Sequence, residues 1–141
     1  MTKTINIEIS PGELIDRYSI VLIKREMICD EDKQNSIQIE LTRLKTTFEA
    51  LNISDRDIHL INLYKVNRVI WDEEEEIRKI HKASAIESIW WSNKNKLIRA
   101  GEIGISIAIM NDRRCSIKRE INLSCGYAVL EEKSHITTEN V

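Results

Sequence analysis

Glycine and proline are scarce in this chain: 4 Gly and 1 Pro in 141 residues. Turn-dense β architecture needs both, so their scarcity points to long helices joined by few connections. Cysteine is also sparse. Cys29, Cys115 and Cys125 show no CxxC spacing, and an odd number cannot all pair, which excludes a disulfide framework and a zinc ribbon. Reduced thiols of this kind fit the cytoplasm. No run approaches the ~18 apolar residues of a membrane span, and Met1-Thr2-Lys3-Thr4-Ile5-Asn6 lacks the apolar core of a secretory signal. A dominant charge is missing as well. The net charge is −2 and the pI is near 6.0, so no global field favours nucleic acid or an anionic membrane. The basic cluster Arg113, Arg114, Lys118, Arg119 is diluted by Asp112 and Glu120, which argues further against nucleic acid.

What remains is 42% hydrophobic and 31% charged residues, enough for one domain with its own core. The expected fold is a single all-α bundle of about four helices over residues 1–141, with 134–141 as a frayed tail. Ile5, Ile7 and Ile9 alternate with polar residues as in a strand, so an optional two-stranded ribbon would pair this segment with Tyr127–Lys133. Ser10-Pro11-Gly12-Glu13 reads as a capping box with proline in the first turn, and a helix follows to about Met27. A second helix is expected from about Lys33 to Asn52, where Ile37, Leu41, Leu44, Phe48 and Leu51 keep a 4-3-4-3 spacing. Ser54-Asp55-Arg56-Asp57, with Ile53 and Ile58 as a hydrophobic staple, predicts a third helix to about His81. Ser84–Glu87 would cap a short helix through Trp90-Trp91, and Ser92–Asn95 reads as a turn. The last helix is expected from about Glu102 to Gly126, a natural C′ glycine. Ile103, Ile105, Ile107 and Ile109 also alternate as a strand would, but the seam Ile103, Ile107, Met110, Arg114, Ile117, Ile121 favours helix.

That seam carries an arginine, and Asn111, Lys118 and Asn122 lie beside it. Burying such groups unpaired costs ~2–7 kcal/mol each, so something acidic must answer them. Five consecutive acids, Asp72–Glu76, cover more than one turn of the third helix. Glu73 and Glu74 bridge Ile70 and Ile77, so they are the expected partners of Arg114 and Lys118. Two readings follow. In one, a buried ion network fixes helix register. In the other, Asn67, Glu74, Arg78, Asn111, Arg114, Lys118 and Asn122 line a pocket for a carboxylate or phosphate.

Glu13-x-x-Asp16 and Glu73-x-x-Glu76 also look like the paired acids of magnesium-dependent nucleotide pyrophosphohydrolases of helical fold. Acids at i and i+3 share a face and can hold a hard cation. Their order is reversed here, and Glu13 already has a capping role. Histidines 59, 81 and 135 lack metal spacing, and no nucleophile elbow or phosphate loop is present. No cofactor or metal is therefore expected. Trp90 and Trp91 are adjacent, so both cannot face one core from a helix. One of them is the candidate anchor for a homo-oligomer or a partner protein.

SPGELID at Ser10–Asp16, Val66-Asn67…Trp71-Asp72-Glu73-Glu74…Ile77-Arg78, Asn111-Asp112-Arg113-Arg114…Lys118-Arg119-Glu120-Ile121-Asn122 and Glu131-Glu132-Lys133-Ser134 form an ordered set. The set resembles a family of small bacterial proteins known only as a domain of unknown function. The resemblance spans most of the chain and implies no established activity. The resemblance implies a setting near surface-polysaccharide genes. The chain departs from the pattern between Lys82 and Gly101, where it is longer and carries Trp90-Trp91. The leading functional expectation is a non-catalytic helical binding or assembly module. The alternatives are a small enzyme or binder for an anionic ligand such as a nucleotide or nucleotide sugar, and, behind it, the pyrophosphohydrolase.

Overall fold

The computed structural model describes residues 3–86 and 93–127. They form an all-α bundle of α1 (Pro11–Met27), α2 (Glu31–Ala50), α3 (Arg56–Ile86) and α4 (Lys94–Ser124). α1 is the hub. It packs against the other three helices, α3 packs on α4, and α2 packs closely only on α1 among the described residues.

Each helix boundary has a local cause. At the start of α1, the Ser10 hydroxyl accepts from Glu13 N at 3.1 Å, with Pro11 in the first turn. The Asp30 carboxylate caps α2 through Lys33 N at 3.0 Å, so the helix starts at Glu31, two residues before the expected Lys33. Asn93 caps α4 through Lys96 N at 3.2 Å. α4 ends in a Schellman arrangement, with Tyr127 N donating to Asn122 O at 2.9 Å and Gly126 N to Leu123 O at 3.1 Å. Gly126 has φ 68, the left-handed conformation that glycine adopts without a Cβ penalty.

The core joins Ile15, Tyr18 and Val21 of α1 to Ile37, Leu41 and Phe48 of α2, Leu63 of α3 and Ile121 of α4. The Tyr18 and Phe48 rings lie 5.0 Å apart at 42°. Arg56 closes the α2–α3 corner. Its Nη1 donates to Glu49 O and Leu51 O, both at 2.7 Å, while its guanidinium sits 5.5 Å over the Phe48 ring.

Several expectations need correction. Residues 3–9 are not in a strand, and Ile5 and Ile7 are exposed, so the ribbon is not supported; its other half, from 128 onward, lies outside the described residues. α3 continues through Ser84 to Ile86, and α4 begins at Lys94 rather than near Glu102. Ser84 is therefore inside a helix, and the cap stands at Asn93. The staple before α3 is not made, because Ile58 is exposed; Asp55 instead turns the chain at φ 57. The Ile103–Ile109 alternation belongs to helix, as the seam required.

Candidate functional site: a buried polar cluster between α1, α3 and α4

Gly12, Asp16, Ser19 and Ile23 recur on α1 at 4-3-4 spacing and are all buried. Gly12 and Asp16 of this stripe face the polar side of α4, and Ser19 faces α3. Asp16 is 1% exposed, and Arg114 grips its carboxylate with two nitrogens. Arg114 Nε donates to Oδ1 at 2.9 Å and to Oδ2 at 3.0 Å, and Nη2 donates to Oδ2 at 2.7 Å. Asn67 of α3 completes the shell. Its amide nitrogen donates to Asp16 Oδ1 and to Ser19 Oγ, each at 2.8 Å. The Ser19 hydroxyl in turn donates to Asp16 O at 2.6 Å. Hydrogen bonding to Asp16 pushes the Arg114 pKa above the usual arginine value; burial opposes this, and the charges of Asp16 and Glu13 add to it.

One turn further along each helix, Lys118 Nζ meets Glu13 Oε2 at 2.7 Å, the lysine side chain being 10% exposed. The next contact along the same line is backbone. Gly12 N donates to Asn122 Oδ1 at 2.8 Å, satisfying an amide that the first turn of a helix leaves without a partner. The approach is so close that a Cβ on Gly12 would sit 2.6 Å from Lys118 O. Glu13 and Asp16, at i and i+3, therefore face Lys118 and Arg114, at i+4 spacing. The two acids hold side-chain cations of their own chain in place of a metal. No group of three or more His, Cys, Asp or Glu suited to a metal occurs among the described residues.

Of the sequence-derived candidates, Asn67, Arg114, Lys118 and Asn122 belong to this cluster. Asn111 is half-buried on α4, one turn before Arg114. Glu74 and Arg78 do not belong to it. They pair with each other at 3.3 Å on the exposed side of α3. The reason is register. α3 runs antiparallel to α4 with Glu76 bonded to Arg99 at 2.7 Å and Glu73 Oε1 accepting from Ser106 Oγ at 2.5 Å. That alignment sets Arg114 level with Asn67, two turns away from Glu74. Glu73 Oε2 is buried without a partner among the described residues. The hydrogen bond to Arg99 holds the Glu76 carboxyl below the usual range, against burial, with the Arg99 and Lys79 charges adding. Trp90 and Trp91 lie outside the described residues.

Sequence reasoning missed Ser19 and did not name Asp16 as the partner of Arg114, noting it only in the Glu13-x-x-Asp16 likeness to paired metal-binding acids. The usable signal was the spacing of Gly12, Asp16, Ser19 and Ile23, a small and polar stripe inside an otherwise apolar helix. Clefts lined by described residues also lie away from the cluster, two of them on different helix pairs. One of about 440 Å³ is bordered by Lys24, Ile28, Asp32, Lys33, Ile37 and Glu40, and one of about 310 Å³ by Ile77, Arg78, Ile80, His81 and Ala100. No described helix is long and apolar enough to cross a membrane.

No protein-family model, curated protein or solved structure matches the chain.

Proposed function

We propose that the chain is a non-catalytic helical binding or assembly module, whose polar cluster sets helix register while its outer surfaces meet a partner. The observation that carries this reading is the bidentate Arg114–Asp16 pair. The arginine that an anionic ligand would need already spends Nε and Nη2 on an acid of its own chain. Lys118 is engaged with Glu13 in the same way. An incoming carboxylate or phosphate would have to displace Asp16 and leave it buried without its cation, which costs about 3–5 kcal/mol. Replacing a buried ion pair by apolar residues is often neutral for stability, so in this reading the pair serves to choose one packing over its neighbours. Free Cys29, Cys115 and Cys125 accord with the cytoplasmic location that this reading assumes.

A thermal-shift screen against nucleotides, nucleotide sugars and divalent metals tests the reading. A ligand at 100 times its Kd would add about 2.7 kcal/mol of stability, a shift easily seen. The expected result is no shift with any of them. A saturable rise with one anion, lost in Arg114→Ala, would replace the module with the anionic-ligand binder.

A further inference from the structure

α3 and α4, of 31 residues each, are about 20 Å longer than α1 of 17. The described polar contacts with α1 fall between Tyr64 and Arg68 on α3 and between Arg114 and Asn122 on α4. The other halves of the two helices run on as a pair, joined by Glu76 and Arg99. Among the described residues, none from 77 to 101 belongs to the core cluster. This pair ends in a concentration of positive charge. Residues 77–101 carry six Lys or Arg and one acid, Glu87, so in a chain of net −2 the remainder carries −7. The near-neutral total conceals that segregation. Arg78, Lys79, Lys82, Lys94 and Arg99 are exposed, and Lys96 is half-buried. Arg78 and Arg99, nearest the body of the bundle, reach back to Glu74 and Glu76.

The helix ends do not call for this placement. Lys94 and Lys96 stand in the first turn of α4, where the helix dipole favours acids, and no acid stands there. The last turn of α3, where cations would be favoured, holds none. Beside the lysines, Leu97 and Ile98 are 47% and 49% exposed. An aliphatic pair amid cations fits a lipid interface, where hydrocarbon enters the headgroup layer and the lysine heads stay among the phosphates. A nucleic-acid backbone would match the charge but would leave Leu97 and Ile98 unused.

We infer that this end of the α3–α4 pair docks on an anionic phospholipid bilayer, lying against the headgroups without crossing. This rests on the module reading and names the surface that the module meets. The acidic remainder is repelled by the same surface, which orients the molecule with its basic end down. Each Lys or Arg brought near such a surface strengthens attachment about fivefold, and the attraction fades beyond about 10 Å at 0.1 M salt.

Co-sedimentation of the full chain with large unilamellar vesicles tests the docking. At about 0.1 M salt, wild type should bind vesicles of one-third phosphatidylserine and not pure phosphatidylcholine, and about 1 M salt should release it. Lys82→Glu/Lys94→Glu should cut binding about 25-fold or more. Its melting temperature should stay at or above that of wild type, because an acid at the start of α4 suits the helix dipole. Lys33→Glu/Arg43→Glu makes the same change of net charge at exposed positions of α2 and should bind like wild type. Leu97→Gln/Ile98→Gln should weaken vesicle binding, which attachment by charge alone would not show. No preference for phosphatidylserine, an equal loss in the α2 variant, or undiminished binding in the Leu97/Ile98 variant overturns the proposal. A chain that binds single-stranded RNA but not the vesicles overturns it as well. The module reading fails by a different result, a thermal shift with a soluble anion that Arg114→Ala removes, so the two failures are distinct.

Discussion

Arg114 and Asp16 stand 98 residues apart in sequence, and Nη2 and Oδ2 lie 2.7 Å apart in the fold. This pair fixes the rotation of α4 against α1, and Asn67 ties α3 to the same carboxylate at 2.8 Å. Three helices therefore meet at one buried acid. A slip of either partner helix by one turn would leave that acid without its cation.

Gly12→Ala should destabilise the protein by about 1–3 kcal/mol, the usual range for overpacking. The new methyl would press on the Lys118 carbonyl, which belongs to a helix backbone and cannot swing away. Urea denaturation should show a lower midpoint with an unchanged slope. An unaltered midpoint would mean that α1 and α4 are further apart at this end than described.

Ser10→Ala should cost about 0.5–2 kcal/mol through the lost cap at Glu13 N. Asn122→Ala should cost about 1–3 kcal/mol, since it leaves the Gly12 amide buried and unsatisfied. The same denaturation measurement reads both. Equal stability of Asn122→Ala and wild type would contradict a buried cap supplied by α4.

Glu74→Ala should change stability by no more than about 0.5 kcal/mol, because its pair with Arg78 is an exposed i,i+4 contact. The sequence alone had assigned Glu74 to Arg114. A loss of several kcal/mol would restore that pairing and contradict the register of α3 on α4.

Tyr64 supplies a pH-dependent test. Its phenol donates to Glu26 Oε2 at 2.5 Å, and that hydrogen bond, with some desolvation and the Glu26 charge, raises its pKa above 10.0, against a smaller opposing effect of Arg68. A folded value above the unfolded one means that the contribution is full below pH 10.0 and is lost as pH rises through the folded pKa. Ultraviolet titration of Glu26→Gln against wild type should show one tyrosine ionising earlier in the variant. Unchanged titration in Glu26→Gln would contradict the contact.

Helix identity was legible in the sequence because the periodicity of Ile37–Phe48 and of Ile103–Ile121 is strong, and Ser10 and Gly126 carry specific chemistry at the ends. The polar cluster was half legible. Arg114 on an apolar seam announced a buried acid, but spacing along one helix says nothing about which residue of another helix comes level with it. Glu73 and Glu74 were as reasonable as Asp16 until the α3–α4 register was known. The boundary near Lys94 was hidden because Leu97, Ile98, Gly101, Gly104 and Ile105 put apolar and small residues on the outer face, blurring the amphipathic signal.

The most direct test of the central claim, that Arg114 is answered from within the fold rather than by a ligand, is a double-mutant cycle on Asp16→Ala and Arg114→Ala. Each single variant should lose about 3–5 kcal/mol by leaving its partner uncompensated. The double variant should lose clearly less than their sum, with a coupling of about 0.5–3 kcal/mol. Losses that simply add, measured in the same denaturant series, would contradict the pair and the account built on it.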